Sequence, residues 1–322
     1  MGMKRFRKFA LLLMICICTI VVPSALAQDT FGLTDADFAY WTSAVETSAA
    51  FNTISYDYTF RVDVSGLDPS GDITIWVGGS GQIGEQDGAP AFSMTAVGEL
   101  ISGSETLPID MEVRFVGDSI YLNLGDGSGW IGGPAEELLS GFGDMLGGAL
   151  PFDPEALAEG DMSGMEDMMA MPGMMDAMMA LSTLQPSDFI AMSREMDMSG
   201  QAHFVINFLI ADLLTSDAFA PLLAMGLAQG MGAETSGMTQ QEMQQMSMMV
   251  GMLFSDLTLT YEQFISTSTN LVERGVLTLN FPLPAMLTGG ANASINLEMA
   301  VDLSGYNEPI SVKAPETFQS MM

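Results

Sequence analysis

SYDYTFRVDV, residues 55–64, decides the fold. Tyr56, Tyr58, Phe60, Val62 and Val64 alternate with Ser55, Asp57, Thr59, Arg61 and Asp63. A period of two held over ten residues predicts a β-strand with one apolar face and one wetted face. Outward from it the same period returns. Phe92–Leu100 alternates through Met94, Ala96 and Gly98; Ile109–Phe115 through Met111 and Val113; Ile120–Leu124 through Leu122. Ile73–Val77 is a further short strand. The cleanest case is 291–303, where Ile295, Leu297, Met299, Val301 and Leu303 alternate with Ser294, Asn296, Glu298 and Asp302. Leu257, Leu259 and Tyr261 repeat the pattern, as do Leu277, Leu279 and Phe281. Gly and Asp punctuate the first group, in DPSGD (68–72) and GDGSGW (125–130), as turns joining neighbours in an antiparallel meander.

Helical periods flank and separate these runs. In LTDADFAYWTSAVETS (33–48), Thr34 is placed to cap a helix, with Asp37 three positions on, and Phe38, Trp41 and Val45 share a face. Pro134 opens a helical stretch at 135–146. Met174–Leu181, Ala218–Gln229 and Thr239–Leu253 also read as helices, with a strand at Phe204–Ile210 between them. Ile310–Pro315 is expected as a last edge strand, stopped by Pro315. A helix, a run of strands, a run of helices and a second run of strands predict an α+β fold. Its helices pack on one face of a large antiparallel sheet. Neither group of strands has a second layer of its own, so one joint sheet is expected.

Four of the nine basic residues, Lys4, Arg5, Arg7 and Lys8, precede an apolar run at Phe9–Val22 and a small-residue end at Ala25-Leu26-Ala27. This is the pattern of a secretory leader cut near Ala27, and it places residues 28–322 outside the cytoplasm with no stable membrane anchor. Cys16 and Cys18, the two cysteines, both lie in the leader, so the exported chain has no thiol or disulfide. That chain keeps five basic residues against 40 acidic ones, a formal charge of −35. Nucleic acid is excluded as a partner, since phosphates are bound through Lys and Arg; anionic headgroups are disfavoured for the same reason.

MSGMEDMMAMPGMMDAMMAL (162–181) is the strongest compositional signal, within a Met-rich insert of about 160–253. Thioether pairs at Met165/Met168, Met171/Met174 and Met175/Met178 would suit Cu(I), but His203 is the one histidine and lies far off in sequence. The competing reading uses the flexibility and polarisability of Met to make an adaptable apolar surface. A third is a plain core or loosely ordered loop. Catalysis finds no support: His203 sits in the apolar run HFVINFLI, and no nucleophile–base–acid grouping can be assembled. DPSGD and GDGSG lack the spacing of a calcium loop. Asn292-Ala293-Ser294 is a glycosylation acceptor in form only, since it lies in a strand. Trp41, Trp76 and Trp130 leave sugar stacking as a weaker reading.

Three stretches carry a resemblance: YDYTFRVDVSG (56–66) after a helix, GDSIYLNLGDGSGW (117–130) followed by PAEELL (134–139), and the terminal PISVKAPE (309–316). In this layout the chain resembles the LolA-like and LppX/LprG-like extracytoplasmic lipid and lipoprotein carriers. The resemblance implies a strongly curved antiparallel sheet, an unclosed half-barrel, with the Met-rich helices covering its concave face, all in one domain spanning 28–322. It implies an apolar cavity for a lipid or acylated molecule, no cofactor, no metal, no enzymatic activity, and transient protein donors or acceptors in the envelope. The lining would come from Tyr56, Tyr58, Phe60, Val62, Met94, Met111, Val113, Phe115, Ile295, Leu297 and Met299, with Met175, Met178, Met246 and Met249 from the helical lid. The chain departs from many relatives in lacking a cysteine for lipidation at the start of the exported part. The alternatives remain a Met-rich Cu(I)-binding protein and a structural or interaction protein without a ligand.

Overall fold

Strand β1 (Thr53–Ser65) lies at the middle of a 12-stranded sheet and joins its two halves. On one side it pairs antiparallel with β2 (Ile73–Gln86), on the other with β11 (Ala293–Ser304). The second pairing sets Ser55 opposite Ser304 and Val64 opposite Ile295. The first half continues through β3 (Ala89–Ser102), β4 (Glu105–Val116), β5 (Ser119–Asn123) and β6 (Trp130–Pro134). The second runs from β11 through β10 (Val272–Leu283), β9 (Thr258–Ser266) and β8 (Gln201–Phe208) to β7 (Ile190–Arg194). All these pairings are antiparallel; β12 (Gln319–Ser320) adds two residues parallel to β6. β7 and β12 end the strand order at opposite sides, so the sheet is unclosed. The computed structural model describes residues 29–67, 71–135, 185–216, 251, 253–284, 288 and 292–320. The expected leader and the expected helices at 135–146, 174–181, 218–229 and 239–253 lie wholly or almost wholly outside those residues.

The chain forms two compact units. The first holds the sheet, in the pieces 1–134, 190–208 and 258–322. The second comprises 135–189 and 209–257. Its described residues include a 3-10 turn at Pro186–Asp188 and the short helix α2 (Ile210–Thr215). There the Leu209 N–H donates to the Phe189 carbonyl at 2.8 Å.

Helix α1 (Asp35–Ala49) begins where its cap predicts: Thr34 Oγ1 accepts from the Asp37 N–H at 3.2 Å. It packs on the apolar face of β7–β10, at the end where β9 finishes and β10 starts, here the upper end. Trp41, Ala44, Phe204, Ile206, Tyr261, Ile265 and Val272 are buried there with Phe31 and Leu33. Two polar groups inside this core are satisfied across it. Trp41 Nε1–H donates to Gln263 Oε1 at 2.6 Å, and the Val272 N–H donates to Ser48 Oγ at 2.9 Å. Tyr40 stacks on Phe204, and Arg194 lies over both rings while pairing with Asp37 at 2.7 Å.

Several strands depart from the sequence reading. β2 runs nine residues past Val77, because the glycines of VGGSG (77–81) break the period without breaking the strand. β2 and β3 join at Asp87-Gly88, both left-handed (φ 54° and 79°), the geometry of a two-residue hairpin turn. β6 and β7 are strands the sequence reading does not contain; neither alternates, since β6 (WIGGP) ends in two glycines and a proline and β7 (IAMSR) opens with three apolar residues in a row. β8 starts three residues before Phe204 and ends two before Ile210.

The tail corrects another expectation. Ile310–Pro315 is no edge strand but a strap across the polar face. Ile310 and Val312 bury against Ala91 and Val116. The strap is fastened by side chains: the Val312 N–H donates to Gln86 Oε1 at 2.7 Å, and Arg114 Nη1 donates to the Lys313 carbonyl at 3.0 Å. Only Gln319 and Ser320 pair as a strand, beside β6. At the far edge the N-terminal segment plays the matching part: the Met192 N–H of β7 donates to the Phe31 carbonyl at 2.7 Å. Each outer strand is thus met by a segment from one end of the described chain.

Candidate functional site: an apolar sheet face with a glycine crease

Pleating and register place the sheet residues expected to line a cavity on one face. Phe60, Val62 and Val64 stand opposite Met299, Leu297 and Ile295. Across the other seam Phe60 and Val62 face Val77 and Ile75, and Tyr56 and Tyr58 face Gly81 and Gly79. Met94 pairs with Gly81 and Val113, Met111 with Ala96, and Phe115 with Phe92. All eleven named strand residues therefore share the face that carries α1 at its upper end. From β5 to β9 the interior positions of this face hold no Asp, Glu, Lys or Arg. Tyr56 and Phe115 are buried and present little surface; the other nine are half-buried. Met175, Met178, Met246 and Met249 fall outside the described residues, as do the methionine pairs considered for Cu(I).

Along β1 the stripe Tyr56–Val64 spans about 27 Å at ~3.4 Å per residue. From β4 to β11 it spans about 19 Å at ~4.8 Å per strand. Leu277, Leu279 and Phe281 on β10 and Ile73, Ile75 and Val77 on β2 extend it.

The face is creased between β2 and β3. Their backbone pairing lapses after Gly78–Val97 and resumes at Gly81–Met94 in the same register. A Cβ at Gly79 would stand 1.8 Å from the Thr95 carbonyl oxygen, and one at Gly81 2.2 Å from that of Ser93. At Gly98 it would meet the Trp76 carbonyl oxygen at 1.9 Å. All three glycines point to the apolar face, so the two strands close toward each other on that side. Only residues without a side chain tolerate this approach.

Side chains replace the missing backbone bonds. Thr95 Oγ1 accepts from the Ser80 N–H at 3.2 Å and donates to the Ser80 carbonyl at 3.1 Å. Tyr56 and Tyr58 lie across the glycines and donate their hydroxyls to the Ser93 and Thr95 carbonyls, at 3.1 and 3.0 Å. Burial raises the pKa of Tyr58 above the ordinary phenol value, which keeps it a donor. Both tyrosines thus turn their hydroxyls into the sheet, and Tyr58, half-buried, leaves ring surface on the face. Gly79, Gly81 and Gly98 were not singled out as site residues from sequence. Their signal was glycine inside strand patterns, at VGGSG (77–81) and at Gly98 in the alternating run 92–100, which marks close backbone approach.

The polar face behind the crease carries an open depression of about 320 Å3, bounded by Ser55, Asp57, Ser80, Gln82, Ser93, Thr95 and Glu112. Its hydroxyl and carboxylate lining is opposite in chemistry to the apolar face. His203 is a strand residue, as expected. It lies on the polar face, with Nε2 2.8 Å from Glu262 Oε2 and its ring stacked on Phe264. Trp76 is also on the polar face, between Arg61 and Glu99, and Trp130 lies under the Arg114 guanidinium. Among the described residues no group of three or more His, Cys, Asp or Glu is placed to hold a metal ion. None of their helices is long and apolar enough to cross a membrane.

No family model matches the chain, and no curated protein matches it. Among solved structures it is similar to LprF from Mycobacterium bovis, with 12% identity, 86% of this chain and 95% of that one covered, and a TM-score of 0.32. A structure of lipid–protein interactions in lipovitellin matches at 8% identity, covering 83% of this chain and 26% of that one, also with a TM-score of 0.32. A DUF1329 family protein from Desulfovibrio piger matches at 10% identity, covering 86% and 96%, with a TM-score of 0.22. Scores at this level carry no argument about the ligand, and the site is read from its own geometry.

Proposed function

We propose that this protein is an exported, non-enzymatic carrier or binding protein for a hydrophobic ligand, a lipid or an acylated molecule, held against the apolar face of the sheet. One observation carries the reading. The apolar face runs unbroken from β5 to β9 with no ionic side chain at its interior positions, while α1 occupies its upper end. A sheet meant only to be packed shut has no need of the crease; a crease concave on the apolar side wraps a ligand on more than one flank. Burial supplies the affinity. About 200 Å2 of apolar contact, at ~25 cal/mol per Å2, contributes about 5 kcal/mol before ordering costs. The absence of catalytic work fits the one histidine, which is held by Glu262 and Phe264 on the other face. The Met-rich segment would add adaptable apolar surface.

The test is direct. The exported protein is purified, extracted with organic solvent, and the extract examined by mass spectrometry; in parallel it is titrated with a fluorescent fatty acid. A bound lipid, or saturable uptake, supports the reading. An empty extract together with no uptake overturns it and leaves a protein that uses this sheet only as a scaffold.

A further inference from the structure

The polar depression and Trp76 follow one another along β2. Asp57, Ser80, Thr95 and Glu112 stand side by side across β1 to β4, one row of the polar face. Asp57 and Glu112 wall this row about 14 Å apart, at ~4.8 Å per strand. The row above holds Ser55, Gln82 and Ser93. There the strap bounds the depression, where the Ser311 N–H donates to Gln82 Oε1 at 3.5 Å. The row below holds Gly78, and the Trp76 ring leans over it, with ring atoms 3.4 and 3.6 Å from where a Cβ on Gly78 would stand. The indole is 42% exposed, and Val97, opposite Gly78, is 57% exposed. A trough lined by hydroxyls and carboxylates thus ends in an apolar step. Its polar groups are unspent: the side chains of Ser55, Asp57 and Ser93 have no hydrogen-bond or ion-pair partner among the described residues.

Charge and spacing narrow the ligand. Strands β1 to β4 carry two basic residues, Arg61 and Arg114. Arg61 is paired with Asp63, and Arg114 with Glu112 and the Lys313 carbonyl of the strap. An anion would meet Asp57 and Glu112 with no free guanidinium to offset them. One ammonium cannot reach both carboxylates across the trough, and a single indole is less than the aromatic cage that such a cation takes. A neutral molecule fits better if it has C–H surface for an indole and hydroxyls for a row of carboxylates and hydroxyls. That is the chemistry of a sugar. From Gly78, under the ring edge, to Ser80 is one step of the polar face, ~7 Å along the strand. The stacked unit and the unit beside Asp57 are therefore successive members of one chain.

We infer that this trough binds a neutral oligosaccharide, one unit against Trp76 and the next hydrogen-bonded to Asp57 and the hydroxyls beside it. An exposed indole next to a few convergent polar groups is the common makeup of a small-molecule site, the ring supplying contact area and the polar groups orientation. The inference does not depend on the lipid reading, which uses the other face of the sheet.

The experiment applies the exported protein to an array of neutral, uronic-acid, sulfated and amino-sugar glycans, and titrates the bound glycans by calorimetry. Binding is expected for neutral glycans of two or more units. Trp76→Ala should weaken it at least about tenfold, and Asp57→Asn at least about fivefold. Asp57 is exposed and unpaired, so Asp57→Asn should keep the parental thermal melt; if Trp76→Ala does not, Asp57→Asn carries the test. Binding to no neutral glycan overturns the inference, as does a preference for acidic glycans or amino sugars. Parental affinity in Asp57→Asn, or in a folded Trp76→Ala, overturns it too. Fatty-acid uptake, measured on the same samples, should be equal in the parent and both variants. Uptake without glycan binding removes the trough and keeps the carrier; glycan binding without uptake does the reverse.

Discussion

Gly79→Ala is the sharpest probe of the crease. The added methyl would stand 1.8 Å from the Thr95 carbonyl oxygen, 2.8 Å from its carbon and 3.0 Å from Tyr58 Cε1. The nearest atom is backbone, so no side chain can swing away. β2 and β3 must part by roughly 1.2 Å merely to reach the 3.0 Å below which Cβ contacts essentially never occur. Overpacking of this kind costs about 1–3 kcal/mol. Parting the strands also strains the Tyr58 hydroxyl bond to Thr95 and the Thr95 bonds to Ser80, at about 1 kcal/mol each. The expected loss is about 4–6 kcal/mol. With a urea m-value of ~3 kcal/mol per M, the midpoint followed by tryptophan fluorescence should fall by about 1.3–2 M. Gly133→Ala is the control. Its Cβ meets nothing within 4 Å, and its midpoint should move by less than about 0.2 M. Tyr58→Phe should cost about 1 kcal/mol alone and less in the Gly79→Ala background, where its bond is already disturbed. Equal midpoints for Gly79→Ala and Gly133→Ala would refute the crease and the concavity argued from it.

Trp41→Phe should lower stability by about 1–3 kcal/mol in urea denaturation, because Gln263 Oε1 is left buried without its donor; a change below about 0.5 kcal/mol would mean that Gln263 finds another. Asp37 has its pKa lowered, first by the Thr34 hydroxyl and then by Arg194. Its contribution is therefore complete above the unfolded carboxylate value and lost as pH falls through the lower folded value. Asp37→Asn should accordingly be less stable than the parent at pH 7, and the gap should close below about pH 4; a gap that persists at pH 2 would count against the assignment. Val62→Asp, which sets a carboxylate in the middle of the apolar stripe, should weaken fatty-acid uptake by at least about tenfold, compared at matched folded fraction.

Much of this was legible where a period was long enough to register. β1 and β11 each show five apolar positions at strict alternation, and their place in one joint sheet was anticipated because neither strand group has a second layer of its own, although that they pair with each other was not. Thr34 and Asp37 marked the helix start because a capping hydroxyl is a local device. The eleven strand residues proposed for the site share a face because pleating alone sorts them. What stayed hidden depends on distance in sequence. Nothing in VGGSG says that Tyr56 and Tyr58, some twenty residues earlier, will lie over it. Ile310 and Val312 alternate as a strand would, yet they bury in a strap because Gln86 and Arg114 reach their backbone first. Gln263 looks like a surface residue until Trp41, more than two hundred positions away, gives its amide a donor.

The two guarded edges of the sheet are completed at very different moments in the life of the chain. Phe31, which covers β7, is made before any strand exists. Gln319 and Ser320, which cover β6, are made some 185 residues after it. At ~5–20 residues per second, β6 waits roughly 10–40 seconds on the ribosome for its guard. During that interval the β5–β6 hairpin presents open backbone to every other nascent copy. Slowing the synthesis of the stretch that carries Gln319 and Ser320 should therefore raise misassembly without touching the stability of the finished fold.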